Sequence, residues 1–435
     1  MPSGSRRRLT ASAVVATIAV AVALTACHDI THLDQSNPGQ LGPAVFAPEN
    51  ADLIVNSSKG DFQCAYNGYI ATTGTFVDEL RSAISQTVNF DLDRRTVTAD
   101  EGYGTNDCTI QQTGQLYTPL SVARASNDVA VQHLEGWTDA QVPDRDHLIA
   151  VASAYAGYSL TLLGESMCSA AINLGPEETP PQLFADAKSR FDTAVVAATR
   201  ASDDETLHLA LLGRARTELD LNDGASAAAD AALIPQGFEL DIDHDATNVR
   251  RQNLVWAQTI LQQFASIDTS IINRFEASGD SRIAVDSTGA LGSDGVTAIW
   301  TARKDQSGTA PQALAKYSEA QLIIAENDAN TGNLNGAKTI IDAIRAAALQ
   351  PAFSPPTLTQ PVVLAEIVEQ RKREFFLEGH RLGDIRRLGL PLAPASGAPF
   401  QGSNGVYGDQ SCFPLPNIER INNPNLSIHV LAAHK

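Results

Sequence analysis

The segment 366-EIVEQRKREFFLEGHRLGDIRRLG-389 combines dense charge with two adjacent phenylalanines and a central Glu-Gly pair. Apolar residues in and just before it recur at the spacing of one helix face: Leu364, Ile367, Val368 and Phe375. This periodicity predicts a helix over residues 364–378. Gly379 follows directly, and a glycine just past the last turn is the usual left-handed stop of a helix.

The charges of this segment predict a network of ion pairs. Glu378 falls at the C-terminal end of the expected helix, where the helix dipole disfavours a negative charge. It therefore needs a cation beside it, and the nearest candidates are Arg371, Arg373 and Arg381. We expect a structural ion network at a partly buried helix end, formed by five side chains: Arg371, Glu374, Glu378, Arg381 and Asp384.

A metal site or an acid–base site is the alternative interpretation of the same residues. His380 and Asp384 are four residues apart, as are Glu374 and Glu378. Gly379 is expected to interrupt the helix, so that His380 and Asp384 would not share a helix face, and the surrounding arginines would repel a cation. The structural network is favoured, and we predict no catalytic residue, no metal and no cofactor.

The amino terminus has the pattern of a bacterial lipoprotein signal peptide. Three arginines at positions 6–8 precede an apolar run from Leu9 to Leu24, and Leu24-Thr25-Ala26 leads into Cys27. This is the lipobox pattern, in which the cysteine becomes the lipidated first residue of the mature chain. We predict a signal peptide over residues 1–26 and lipid attachment at Cys27. A single transmembrane anchor and an ordinary secretory signal are the alternatives.

Composition and charge restrict the partners of the mature protein. Residues 27–45 are polar and rich in Pro and Gly, which predicts a tether between the lipid and a domain over residues 46–435. The formal net charge is −19, and loss of the three arginines with the signal peptide makes it −22. Nucleic acid and anionic lipid headgroups are therefore unfavourable partners, whereas a neutral or cationic ligand is compatible.

Four cysteines remain after Cys27: Cys64, Cys108, Cys168 and Cys412. An even number of cysteines outside the cytoplasm favours disulfides, and four cysteines allow three pairings. Of these we favour Cys64 with Cys108 and Cys168 with Cys412. None of the cysteines lies in a C-x-x-C motif, so zinc binding and redox activity are disfavoured.

Helical periodicity dominates the chain, and strand-like alternation is scarce, which predicts a mainly α protein. The predicted helices span residues 47–58, 62–85, 109–135, 144–163, 182–199, 204–221, 224–233, 249–265, 311–329, 334–347 and 362–378. Several form pairs with small residues at their contacts, as in tetratricopeptide (TPR) repeats, within residues 109–235 and 311–378. The spacing between pairs is irregular, which indicates degenerate units within one domain.

The segment quoted first resembles the signature helix of the SusD/RagB family of lipid-anchored nutrient-binding proteins. The matching positions read E369-x-R371-x-x-E374-F375-F376-x-E378-G379-x-R381-x-x-D384-I385-x-R387. Residues 316–348 and 413–426 resemble two further family segments, and the lipobox agrees with them. The resemblance is strongest over residues 311–426.

This resemblance implies a SusD-like fold in which irregular TPR helix pairs form an α-superhelix with long ligand-binding loops. It implies a lipid-anchored protein of the bacterial outer membrane that faces the cell surface and is not an enzyme. Such a protein would bind an oligosaccharide, or sometimes a peptide, and deliver it to a SusC-like TonB-dependent transporter. The alternative is a TPR scaffold lipoprotein that binds only other envelope proteins.

Ligand contacts are expected in or beside the long loops, which include residues 86–108 and 278–310. Polar and aromatic side chains there would hold and stack a sugar, and the candidates are Arg81, Asn89, Tyr103 and Trp300. For Trp300, packing in the core is the alternative interpretation.

Overall fold

The computed structural model describes residues 45–400 and 405–426. Its helices are α1 (Ala51–Phe76), α2 (Thr87–Asp93), α3 (Tyr117–Gly136), α4 (Arg145–Ser166), α5 (Pro180–Ala201), α6 (Asp204–Asp220), α7 (Gly224–Ala231), α8 (Leu254–Trp256), α9 (Thr269–Ser278), α10 (Tyr317–Asn330), α11 (Leu334–Ala347), α12 (Gln360–Glu374), α13 (Arg381–Leu388) and α14 (Asn417–Asn422). Its strands are β1 (Leu80–Ser82), β2 (Ala170–Ala171), β3 (Glu177–Glu178), β4 (Glu239–Ile242), β5 (Ala265–Ile267), β6 (Val285–Leu291), β7 (Ala298–Ala302) and β8 (Gln312–Lys316). The predicted signal peptide, Cys27 and the tether up to residue 44 lie outside the described residues.

Helices α3 to α7 form an array in which each helix packs against the next one along the chain. The ring of Phe191 in α5 packs against both α4 and α6. A Cβ added at Gly157 of α4 would lie 2.9 Å from this ring, and a Cβ added at Gly213 of α6 would lie 2.4 Å from it. The two glycines therefore let three helices share one aromatic side chain. In α4 the apolar stretch is long enough to cross a membrane, yet 89% of it is buried within the protein. The predicted mainly helical fold is confirmed.

A single helix, α1, replaces the two helices predicted over residues 47–58 and 62–85. Gly60 falls between the two predicted segments, but a glycine inside a helix costs only about 1 kcal/mol relative to alanine. From Phe62 onward α1 is buried on nearly all sides, and this burial outweighs the cost. The helix ends at Phe76, and the following residues turn into β1.

Helices α10, α11 and α12 form a second apolar cluster around Leu322, Ile341 and Ile367. Helix α11 has the predicted bounds, and the Asn333 side chain caps its start by accepting a hydrogen bond from the Gly336 N–H at 3.1 Å. Helix α12 of this cluster also carries the first part of the charged segment, residues 366–374.

The strands form four two-stranded antiparallel sheets, which the periodicity did not predict. Residues 312–316 were expected to begin a helix but form β8, which pairs with β4 and buries Leu314 and Ala315. The expected loop 278–310 contains the β6–β7 hairpin. These strands are short, so their alternation is too brief to stand out from the helical pattern.

Two disulfides join Cys64 to Cys108 and Cys168 to Cys412. The first disulfide ties α1 to the segment before α3. The second ties the end of α4 to residues 405–426, which we call the C-terminal segment. Beside the second disulfide, Met167 and Phe413 form an isolated parallel bridge, and the Phe413 ring packs on Phe76 with centroids 4.4 Å apart. The C-terminal segment is thus part of the core.

Candidate functional site

A buried group of ion pairs joins α10, α12 and α13, and we call it the acid–arginine knot: Glu326, Arg371, Asp384 and Arg387. Asp384 Oδ2 lies 2.8 Å from Arg371 Nε, and Asp384 Oδ1 lies 2.9 Å from Arg387 Nη2. Arg387 Nη2 also lies 2.8 Å from a Glu326 oxygen. Burial raises the pKa of Asp384, but Arg371 and Arg387 outweigh it and hold the pKa at about 2.

Helix α12 ends at Glu374, four residues earlier than predicted. The chain then turns through positive φ at Leu377 (53°) and, as predicted, at Gly379 (70°). The turn directs Phe375 into the cluster of α10–α12 and Phe376 into the main core. In a continued helix the directions of consecutive side chains differ by only about 100°, so Phe375 and Phe376 would not reach the two separate clusters.

The partners of Glu378 are not the arginines that the sequence suggested. Its carboxylate lies 2.7 Å from Lys304 Nζ and 2.8 Å from Lys316 Nζ. Glu374 lies 3.1 Å from Arg282 and 3.6 Å from Lys316. Both glutamates therefore pair with Lys316 of β8 and with a second cation outside α12 and α13, which is Arg282 for Glu374 and Lys304 for Glu378.

Arg381 also has a partner from another part of the chain. Asp78, just after α1, lies 2.8 Å from Arg381 Nε and bonds the Lys372 ammonium with its other oxygen. Burial raises the pKa of Asp78, but Arg381 and Lys372 outweigh it, so that the net shift is well downward. The predicted network is therefore three groups of ion pairs: one at the knot, one that joins Glu374 and Glu378 to Lys316, and one that ties α12 and α13 to the chain just after α1.

The predicted interruption between His380 and Asp384 is wrong, because the His380 carbonyl accepts the Asp384 N–H at 3.0 Å in the first turn of α13. The His380 ring stacks on Phe375 with centroids 4.3 Å apart. Burial first, and then Arg216, lower the pKa of His380 well below its usual value. In the described chain, no group of three or more His, Cys, Asp or Glu residues is arranged to hold a metal ion.

A solvent-open cavity of about 400 Å³ lies between β1, the start of α9 and residues of the segments 393–400 and 405–407. We call it the Arg81 cavity, and its lining includes Arg81, Asp268, Thr269, Asn273, Pro394 and Tyr407. Arg81 Nη1 donates a hydrogen bond of 3.3 Å to the Thr269 hydroxyl. Asp268 caps α9 by accepting the Ser270 N–H at 2.7 Å. The cavity thus combines hydrogen-bonding groups of both kinds with flat apolar surfaces.

One wall of the cavity is held from behind by Arg95, which is only 1% exposed. Its guanidinium donates hydrogen bonds to the carbonyls of Ala393 and Gly408, each at 3.4 Å, and to that of Pro394. It also lies 4.9 Å from the centroid of the Tyr407 ring. Arg95 therefore positions the residues that form the wall, and we call residues 393–400 and 405–408 the cavity wall.

Asp93 connects this wall to β1. Its Oδ2 accepts the N–H of Ser82, next to Arg81, at 2.7 Å, and its Oδ1 lies 3.5 Å from the Tyr407 hydroxyl. Burial raises the pKa of Asp93 to about 7, although the Ser82 N–H and the nearby cations Arg81 and Arg95 oppose the shift. A group that titrates near neutral pH thus lies directly beneath the cavity.

Two of the four predicted ligand residues lie in the core, which corrects the prediction. Tyr103 is 2% exposed, and its hydroxyl donates to the Pro414 carbonyl at 2.7 Å. Asn89 is 6% exposed and accepts a hydrogen bond of 3.2 Å from the Thr113 hydroxyl. Both are buried because the segment 86–108 folds against the C-terminal segment and the following loop instead of extending into solvent.

Trp300 is half-buried in β7 and packs against the main core, so the packing alternative describes its position. Its backbone N–H donates to the hydroxyl of Ser266 at 2.9 Å, and Ser266 pairs with Arg81 across β1 and β5. Strand β5 therefore lies between Trp300 and Arg81, and Trp300 does not line the Arg81 cavity. Of the predicted ligand residues, Arg81 lines it.

Reasoning from the sequence missed Asp268, Arg95 and Tyr407. Asp268-Thr269-Ser270 precedes an apolar stretch, and this helix-start signal could have located α9. Arg95 gives no such signal, because its partners are backbone carbonyls about 300 residues away in the chain.

Comparison with known proteins supports the fold. Residues 288–420 match the model of the SusD family. A SusD superfamily protein from Bacteroides vulgatus has a TM-score of 0.69 and 18% identity, covering 87% of this chain and 98% of its own. One from Bacteroides fragilis has a TM-score of 0.68 and 15% identity, covering 88% and 99%. A SusD-like carbohydrate binding protein from Bacteroides vulgatus has a TM-score of 0.63 and 14% identity, covering 87% and 97%.

No curated protein matches the chain in sequence. The predicted resemblance to the SusD/RagB family is confirmed by the family match and by these structures. At identities below one in five, the structural similarities establish the SusD-superfamily fold and nothing finer.

Proposed function

Starting from the SusD-superfamily fold and the SusD family match, we propose that this chain binds an extracellular oligosaccharide without acting as an enzyme. In this proposal Cys27 carries the lipid that anchors the protein in the bacterial outer membrane, facing the cell surface. The bound sugar passes to a SusC-like TonB-dependent transporter. One of the structural neighbours is described as a carbohydrate binding protein, which supports the choice of ligand class.

The observation that carries the proposal is the chemistry of the Arg81 cavity. A sugar presents hydroxyl groups that donate and accept hydrogen bonds, and the cavity offers a guanidinium, a carboxylate and the Asn273 amide. Its C–H faces pack on flat apolar surfaces, and Pro394 and Tyr407 provide these. The volume of about 400 Å³ suits one or two sugar rings, with the rest of an oligosaccharide in solvent.

A second observation favours the alternative of a TPR scaffold that binds only proteins. A groove of about 530 Å³ lies between α3, α4 and α5, where Arg145, Asp146 and Arg200 place charges of both signs. Val196 in the same groove is 50% exposed. Helical arrays of this kind present such grooves to partner proteins.

The test is a glycan array followed by calorimetry on the purified protein and two variants of α9. Asn273→Trp places a bulky side chain at the cavity, whereas Glu276→Trp adds the same side chain to an exposed position of α9 outside it. We expect saccharide binding that Asn273→Trp reduces at least tenfold and Glu276→Trp leaves unchanged. If the array shows no saccharide and the transporter is still captured from outer membranes, the scaffold alternative is favoured.

A further inference from the structure

A small polar cavity lies beside the acid–arginine knot, between α6, α12 and α13. Its volume is about 10 Å³, and its lining includes Asp220, Glu319, Arg371 and His380. A space of this size is at the lower limit for one water molecule. It is independent of the Arg81 cavity and of the function proposed for it.

Three buried polar atoms at this cavity have no hydrogen-bond partner among the described residues: Asp220 Oδ2, Arg371 Nη1 and His380 Nδ1. His380 Nδ1 lies 3.8 Å from a Glu319 oxygen, and this distance is too long for a hydrogen bond. Buried polar groups are nearly always paired with protein or ordered water, so three orphaned atoms around one cavity require a common partner.

The protonation of His380 follows from its other nitrogen. Nε2 lies 3.3 Å from Arg216 Nη1, and because a guanidinium only donates, Nε2 is the acceptor. Burial and Arg216 lower the pKa of His380, so the ring is neutral and its single proton is on Nδ1. The cavity therefore offers two donors, Arg371 Nη1 and His380 Nδ1, and one acceptor, Asp220 Oδ2. Burial raises the pKa of Asp220 well above its usual value, and a carboxyl group that holds its proton on Oδ1 still accepts at Oδ2.

We propose that one water molecule occupies this cavity, accepting hydrogen bonds from Arg371 and His380 and donating one to Asp220. Three partners are the usual number for a buried water. A neutral ligand fits because guanidinium and carboxylate groups face the same space. The water connects α6 to α12 and to the residue that precedes α13.

A crystal structure of the full chain at a resolution that orders solvent tests this directly. We expect one density peak within about 3.2 Å of all three atoms. A cavity without density, or Asp220 turned to bond Arg371 directly, would overturn the proposal. Crystals grown in bromide give a second test, because an anomalous peak at this position would show an anion site instead.

Two variants provide a measurement in solution, by oxygen-17 relaxation dispersion of long-lived internal water. Asp220→Leu removes the acceptor and fills the space, and one long-lived water fewer is expected. Asp220→Asn keeps an acceptor oxygen, and the wild-type number is expected. Equal numbers in wild type and in folded Asp220→Leu would contradict the proposal; should Asp220→Leu fail to fold, the wild-type crystal decides.

Discussion

The acid–arginine knot and the cavity wall use buried arginines in different ways. In the knot, Arg371 and Arg387 meet the carboxylates of Asp384 and Glu326, so that side chains bind side chains across three helices. At the wall, Arg95 meets backbone carbonyls and an aromatic ring. The first arrangement fixes how helices pack, whereas the second shapes an irregular segment that lines a cavity.

The two environments shift the pKa of arginine in opposite directions. Burial lowers the pKa of Arg387, but Asp384 and Glu326 outweigh it and the net shift is upward. For Arg95, burial lowers the pKa, and the more distant acids do not restore it. The cation of the knot is therefore compensated, and the cation of the wall depends on peptide dipoles. A buried arginine thus serves the stability of the fold in the knot and the shape of a site at the cavity wall.

Breaking the knot should give the largest effect. In Asp384→Leu the guanidinium of Arg371 loses its carboxylate while it stays buried, so the free energy of unfolding should fall by about 3–5 kcal/mol. Urea unfolding followed by circular dichroism measures this. Asp286→Leu is the control, because its pair with Arg303 is exposed on both sides and its loss should lower the free energy of unfolding far less. Equal losses in the two variants would refute the distinction.

The pH dependence of the free energy of unfolding should contain separate contributions from the knot and from the cavity. Burial raises the pKa of Glu319, near the knot, and of Asp93, beneath the cavity, each to about 7. In the unfolded chain both carboxyls ionise near pH 4, so between about pH 4 and pH 7 the folded state binds more protons. Stability should therefore fall as pH rises through this window, by up to roughly 4 kcal/mol for each group.

Glu319→Gln and Asp93→Asn should each remove part of that slope, which urea unfolding at several pH values measures. Only Asp93→Asn should also change how saccharide affinity varies with pH, because Asp93 contacts Ser82 and Tyr407 at the cavity. A slope that neither variant alters would show that these two carboxyls are ionised in the folded protein.

At the cavity wall, Arg95→Met should cost about 2–3 kcal/mol, since carbonyls that bond a charged donor lose it. The change should be local: hydrogen exchange should accelerate mainly in the cavity wall. Arg94→Met is the matched control, because Arg94 is partly exposed and pairs with Asp91 within one turn. Faster exchange throughout the molecule would instead place Arg95 with the knot as a residue of general stability.

The knot and the cavity wall also differ in how far the sequence predicts them. Arg371 and Asp384 are thirteen residues apart within one charged segment, so their grouping followed from the local pattern. The lysines that pair with Glu378 come from positions 304 and 316, and no local periodicity connects them. Arg95 was missed because any buried carbonyl can serve as its partner. Tyr103 and Asn89 were misplaced because their long loop packs inward, and loop length alone does not distinguish a buried loop from an exposed one.

The smallest effect on stability, paired with a clear effect on binding, is expected for Arg81→Ala. Its one side-chain hydrogen bond, to Thr269, is long at 3.3 Å and exposed, so the unfolding free energy should change by less than about 0.5 kcal/mol. Saccharide affinity should fall about tenfold, because a hydrogen bond from a charged donor contributes about 1.5 kcal/mol or more.

Arg303→Ala is the control for this variant, as an exposed arginine just after β7 that does not line the cavity. It should leave both the unfolding free energy and saccharide affinity unchanged. If Arg81→Ala binds saccharide as wild type does, the Arg81 cavity is not the sugar site. If Arg81→Ala instead destabilises the protein as strongly as Asp384→Leu does, Arg81 serves stability. The distinction between arginines that stabilise the fold and arginines that form the site would then be wrong.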